Sequence, residues 1–164
     1  MRFSMTLDRT QRISTSLTLA AAAVGAVVLL RVVRAPSAAL LLAAVVVILA
    51  VVFAYAPRAI ALTDRELRID RYLAPPVVLN VNDVPRVDEA PLRLGVRLFG
   101  SGGYFGCYGL FRSRELGPFW AYVTRNGPAF VIRPRHGRPL VVVPDDAEGF
   151  RQAVADWLRR RTRV

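Results

Sequence analysis

Residues 38–69 read AALLLAAVVVILAVVFAYAPRAIALTDRELRI, and the change of pattern inside this stretch decides the architecture. Ala38 to Ala56 is 19 residues without a charge or a polar face, and Tyr55 stands near its end, where the interfacial aromatic belt of a membrane helix falls. A helix rises about 1.5 Å per residue, so a run of this length approaches the roughly 30 Å of a hydrocarbon core. From Pro57 the apolar residues alternate with others around the turn Thr63-Asp64-Arg65-Glu66, the period of a strand with one buried face. The stretch predicts a membrane span that feeds directly into a β-hairpin.

Upstream, Ile13 to Val33 is a second apolar run of 21 residues whose only charge, Arg31, lies near one end and can snorkel to the headgroups. Two spans follow, at about 13–33 and 38–56, joined by the short, Pro-containing segment Arg31 to Ser37. A secretory signal peptide is the competing reading of the first run, because Arg2, Arg9 and Arg12 precede it. Arg31 and Arg34 then fall where a cleavage site should be small and neutral. A buried helix of a soluble domain is the competing reading of the second run, and the missing polar stripe opposes it. Seven Arg flank the hairpin on its outer sides (Arg2, Arg9, Arg12, Arg58, Arg65, Arg68, Arg71), against Arg31 and Arg34 in the connection. The positive-inside rule then makes residues 1–12 a cytoplasmic tail, 13–56 the hairpin and 57–164 a cytoplasmic domain at the cell (inner) membrane. The lone Cys107 is compatible with a reducing compartment.

The 164 residues include 23 basic ones, all Arg, against 12 acids, a formal net charge of +11. Without Lys, no Schiff base or P-loop ammonium is available. One His and one Cys exclude a site built from several such ligands, a disulfide framework and a Cys-x-x-Cys redox pair. No cofactor or metal is expected.

Residues 57–164 carry 18 Arg and 11 acids and break into short segments rich in Val, Leu, Tyr and Phe, separated by Gly, Pro, Asn and Asp. They predict strands at 59–63, 67–72, 77–81, 92–99, 108–112, 119–124, 129–133 and 140–143. Asn126-Gly127 marks a hairpin turn. A helix follows with Asp145 as N-cap, and Phe150, Ala153, Val154, Trp157 and Leu158 recur along one face. The layout is a small barrel or sandwich closed at one end by the helix, which buries Phe150, Val154 and Trp157.

This order resembles the bacterial pleckstrin-homology-like (PH-like) domains carried on two-helix membrane hairpins. The resemblance rests on the opening hairpin Ala59 to Ile69, the Gly-aromatic stretch LFGSGGYFGCYG from Leu98 to Gly109, the strand with Tyr122, and the Leu140 to Asp145 junction into the last helix. It covers about residues 57–158 and implies a seven-stranded core, one fewer strand than the eight segments above. It also implies a non-enzymatic binding or assembly module, contacting a protein partner or a second copy through a free sheet edge or the Gly-aromatic loop. In lipid-binding eukaryotic relatives a basic cluster lines the first hairpin turn, whereas here Asp64 and Glu66 flank the single Arg65.

Candidate sites are few. Ser101, Gly102, Gly103, Tyr104, Phe105 and Tyr108 form the expected partner-contact loop, although the same residues also suit a bent connection whose aromatics pack. No Gly-Lys-Ser/Thr or βαβ context supports a nucleotide loop. Arg93 and Arg97 fall on one face of the strand predicted at 92–99, and with Arg58, Arg112 and Arg114 they form an expected contact with anionic lipid head groups. The alternative is a generic solvated surface. His136 lies at a hairpin tip without a group to orient it, Cys107 lacks a neighbouring base, and Asp88-Glu89 and Asp145, Asp146, Glu148 read as solvated acids. No catalytic constellation and no nucleic-acid module are visible.

Overall fold

In the computed structural model, which describes residues 1–32, 36–91, 93–103 and 105–161, a strand β1 (Arg2–Ser4) precedes two helices, α1 (Arg9–Val32) and α2 (Pro36–Tyr55). Nine further strands follow among the described residues. They are β2 (Pro57–Leu62), β3 (Glu66–Arg71), β4 (Val77–Asn80), β5 (Arg86–Ala90), β6 (Val96–Gly102), β7 (Cys107–Ser113), β8 (Gly117–Val123), β9 (Ala129–Arg133) and β10 (Leu140–Val142). The helix α3 (Ala147–Arg161) completes the order.

The strands form a four-stranded sheet, β1-β2-β3-β4, and a six-stranded sheet, β5-β9-β10-β8-β7-β6. Every pair is antiparallel except β10 with β8. Alternation along the strands explains the two-sided core. Tyr122, Phe130, Ile132, Leu140 and Val142 face the first sheet and α3, where they meet Ile60, Leu67, Ile69, Phe150 and Trp157. Phe119, Ala121, Val123, Ala129, Val131, Val141 and Val143 point the other way and bury a second cluster with Phe111. Strands buried on both faces read as unbroken apolar runs, which is why Phe130 to Ile132 and Leu140 to Val143 show no polar alternation.

α3 buries Phe150, Val154 and Trp157, as its spacing predicts, and Trp157 Nε1 donates to the Thr63 carbonyl at 2.6 Å. Its N-cap is Asp146 rather than Asp145: Asp146 Oδ1 accepts the Gly149 N–H at 2.9 Å. Asp145 is held elsewhere, its carboxylate accepting the Thr6 N–H at 3.0 Å. Residues 1–12, expected as a tail, supply strand β1, the buried Met5 and the start of α1. Arg2 pairs with Ala61 and Ser4 with Ala59.

Three segments differ from the strand assignments. β5 was absent from them because Arg-Val-Asp-Glu-Ala has one large apolar residue and no readable alternation. The strand expected at 92–99 begins at Val96, after Gly95 takes a left-handed φ of 68°. Arg93 therefore lies outside β6, and Arg93 and Arg97 do not share a strand face. Leu92 is outside the described residues. Ser101 and Gly102 belong to β6 rather than to a loop, while Tyr108 falls in β7, within the strand expected at 108–112.

Among the described residues, one helix, over Arg9–Val28, is long and apolar enough to cross a membrane; Ala39–Tyr55 is a shorter apolar helix of 17 residues.

Candidate functional site

Both helices leave the body at one place, and hydrogen bonds fasten them there. The last four carbonyls of a helix have no partner within it. In α2, the Val52 carbonyl accepts the Tyr108 hydroxyl of β7, and Phe53 accepts the Ala56 N–H at 3.1 Å. Ala54 accepts the N–H groups of Leu73 and Ala74 at 3.1 and 2.9 Å. α2 thus ends inside the hydrogen-bond network of the β-domain. Phe53 stacks on Tyr72 at 4.7 Å and meets Phe105 edge-on at 5.3 Å, while the Phe105 N–H donates to Thr15 Oγ1 of α1 at 3.2 Å. Arg71 lies over the rings of Tyr55 and Tyr122, at 5.4 and 5.6 Å, and donates to the Tyr122 hydroxyl at 3.0 Å.

These contacts take up Phe105 and Tyr108 of the expected partner loop. Ser101 and Tyr108 are buried, Phe105 is half-buried against Phe53, and Tyr104 lies outside the described residues. Burial pushes the Tyr108 phenol up to about 12 and raises the Cys107 thiol, so both are neutral in ordinary conditions. The glycines here serve the sheet. Gly100 and Gly109 face each other across β6 and β7 at φ of 111° and 127°. A Cβ on either would strike the opposing backbone carbonyl, of Tyr108 or Phe99 respectively. Gly102 and Gly103 lie at the same end of β6, with the Arg97 guanidinium folded against Gly102.

The expected lipid-contact arginines are divided by the structure. Arg58 follows α2 directly, at the helix junction. Arg93 pairs with Glu115 at 3.4 Å, and Arg112 and Arg114 lie at the opposite end of β7 from Cys107. At about 3.4 Å per residue, that end is roughly 20 Å along the strand. The first hairpin turn is closed by α3, with Asp64 paired to Arg160 at 3.4 Å beside the Trp157 hydrogen bond. His136 is exposed in its turn.

The two edges of the six-stranded sheet differ. On β5, Asp88 pairs with Arg86 and with Arg133 at 3.1 Å, and Glu89 takes Arg151 of α3 at 2.8 Å. The Arg151 hydrogen bond holds the Glu89 carboxyl below its usual range. On β6 the only charge is Arg97, while Val96, Leu98 and Phe99 are 68%, 51% and 72% exposed. A bulge at Leu98, between the Arg97–Phe111 and Phe99–Leu110 pairs, leaves two consecutive large apolar residues outward.

Two sheets closed by an amphipathic C-terminal helix, with the opening hairpin turn sealed by a tryptophan, define a PH-like β-module. The sequence profile of the family described as bacterial PH domain matches residues 58–157, and the chain belongs to that family. No curated protein and no solved structure is significantly similar to it.

Besides β5, two features escaped the sequence reading. β1 is three residues long, too short to show a period, and Arg12 and Tyr72 gain meaning only when β1 pairing brings α1 beside β3.

Proposed function

We propose that this chain is a non-enzymatic, membrane-anchored PH module that binds or assembles a protein partner at the cytoplasmic face of the inner membrane. The contact surface in this reading is the open edge β6. The carrying observation is the contrast of edges: β6 has no strand on its outer side among the described residues and exposes Val96, Leu98 and Phe99, whereas β5 is covered with ion pairs. An apolar free edge accepts an added strand, and soluble proteins ordinarily guard such an edge with charge. PH-like domains are generally non-catalytic modules, in keeping with this.

Membrane anchoring by two spans is supported by a parity argument. β1 precedes α1 and β2 follows α2, yet the two strands are hydrogen-bonded in one sheet, so the chain between them crosses a bilayer an even number of times. If α1 crosses, α2 returns. The helix surfaces agree, since Leu17, Val24, Leu40, Val47 and Ile48 are each at least 60% exposed. Apolar surface of that extent is tolerated in lipid rather than in water. The arginines at and before the start of α1 and after α2 support a cytoplasmic domain in this reading, by the positive-inside rule.

The test is affinity capture of the full chain in mild detergent, comparing the native protein with Leu98→Asp/Phe99→Asp on β6 and with Asp88→Ala on β5. Partners lost only with the β6 variant support the reading. An unchanged set of partners on the β6 variant, in a protein of native melting temperature, sinks it.

A further inference from the structure

Arg12 and Arg58 line one cleft of about 400 Å³ together with Thr6 and Tyr72. Among the described residues neither arginine has a carboxylate within 4.0 Å, and no acid lines the cleft. Carboxylates on elements around the cleft are engaged: Asp8 Oδ1 accepts the Arg9 N–H at 2.7 Å, Asp145 accepts the Thr6 N–H and pairs with Arg125 at 3.5 Å, and Asp70 pairs with Arg2 and Arg68 at 3.1 and 2.6 Å. A second cleft of about 200 Å³ shares Arg58 and adds Arg2, Arg68 and Arg71, with Asp70 as its single acid. Positive charge therefore exceeds negative throughout this corner.

Position narrows the ligand. Tyr72 holds the Arg58 guanidinium over its ring at 5.9 Å and rests on Phe53 in the last turn of α2. Leu73, 76% exposed, sits beside the end of the same helix through its N–H to the Ala54 carbonyl. On α1, the exposed Ile13 and Leu17 continue away from Arg12 along the helix. The cleft thus combines two guanidinium groups that have no carboxylate partner among the described residues, and a hydroxyl, with apolar surface leading out of it, where α1 begins and α2 ends.

We infer that this cleft binds the phosphate of an anionic phospholipid, with the acyl chains lying along α1. Guanidinium groups match phosphate oxygens with paired, charge-assisted hydrogen bonds. The Met5 and Thr6 N–H groups are already donated to Arg58 O and Asp145, so recognition falls on the side chains of Arg12, Arg58 and Thr6. The inference rests on the membrane-anchored reading, and it locates lipid contact at the helix junction instead of on Arg93, Arg112 and Arg114.

The experiment uses the full chain in nanodiscs of phosphatidylcholine containing one-fifth phosphatidylglycerol, an arbitrary, roughly physiological anionic fraction. Lipid retained by the released protein is counted by native mass spectrometry. The native chain is expected to retain phosphatidylglycerol in preference to phosphatidylcholine. Each of Arg12→Gln and Arg58→Gln should reduce that preference about fivefold, and the double variant by about 25-fold. Arg135→Gln/Arg138→Gln, on an exposed turn, should leave it unchanged. Both cleft arginines are exposed, and a native melting temperature checks folding; Arg12→Lys/Arg58→Lys should recover part of the preference. An unaltered preference in the folded double variant, or an equal loss in the Arg135/Arg138 variant, overturns the inference. Binding of inorganic phosphate by a native chain that retains no phosphatidylglycerol preference also overturns it, assigning the cleft to free phosphate. Extraction of the chain from vesicles by alkaline carbonate would refute the membrane reading itself, whereas a chain that stays embedded without lipid preference refutes only the cleft.

Discussion

β5 and β6 are the two edges of one sheet, yet one is finished and the other open. β5 carries Asp88 and Glu89, and the arginines of β9 and α3 reach across to them. β6 carries Val96, Leu98 and Phe99 toward solvent. Edge strands of monomeric domains are guarded because an unguarded one recruits other chains. In the proposed function, the unguarded edge beside a guarded one is the place of recruitment.

The most severe way to break the comparison is Gly109→Val, which drives a side chain into the Phe99 carbonyl at a φ that β-branched residues avoid. Backbone strain of about 1–3 kcal/mol plus the collision should detach β6 and cost the domain more than about 3 kcal/mol, read by denaturant unfolding in detergent. A midpoint within error of the native one would show that the Gly100–Gly109 pair is dispensable.

Tyr108→Phe should be milder, at about 1–3 kcal/mol, because it leaves the Val52 carbonyl without its donor where β7 meets α2. The pH dependence has a definite sign. The folded phenol titrates at about 12, above the ordinary value of about 10, so its stabilising contribution is complete below about pH 10 and disappears as pH rises through 12. Melting temperature measured from neutral to alkaline pH should fall more steeply for the native chain than for Tyr108→Phe, and parallel curves would contradict the cap.

Exchanging the character of the edges sharpens the comparison with little change in stability. Leu98→Asp/Phe99→Asp should shift stability by about 0.5 kcal/mol or less while abolishing capture, and Asp88→Val/Glu89→Val should create self-association visible by light scattering. Smallest of all is Arg151→Gln, expected to leave melting unchanged because the pair is exposed. Its signature is the Glu89 carboxyl, whose titration by NMR should return toward the usual range.

Much of this body is legible in the chain. β9 lies at 129–133, where Ala129 to Arg133 places it, and the face from Phe150 to Trp157 gives α3 its buried side. The illegible parts depend on contacts distant in sequence. Asp145 and Asp146 are equivalent helix starters until Thr6 claims the first of them. LFGSGGYFGCYG reads as a connection because glycine signals turns, but the close approach of β6 and β7 requires glycine on both strands. Arg12, Arg58 and Tyr72 are scattered through the sequence and converge only through the pairing of β1 with β2.

That pairing also orders events during synthesis. Arg2 is made first but finds Ala61 only after both helices and most of β2 have left the ribosome. Closing so long a loop is slow unless the intervening chain is already arranged, and insertion of the helices as a hairpin would bring its two ends together. If the helices cross a membrane as proposed, the first sheet would be completed only on chains whose helices have gone out and come back, and the fold of the β-body would record that insertion.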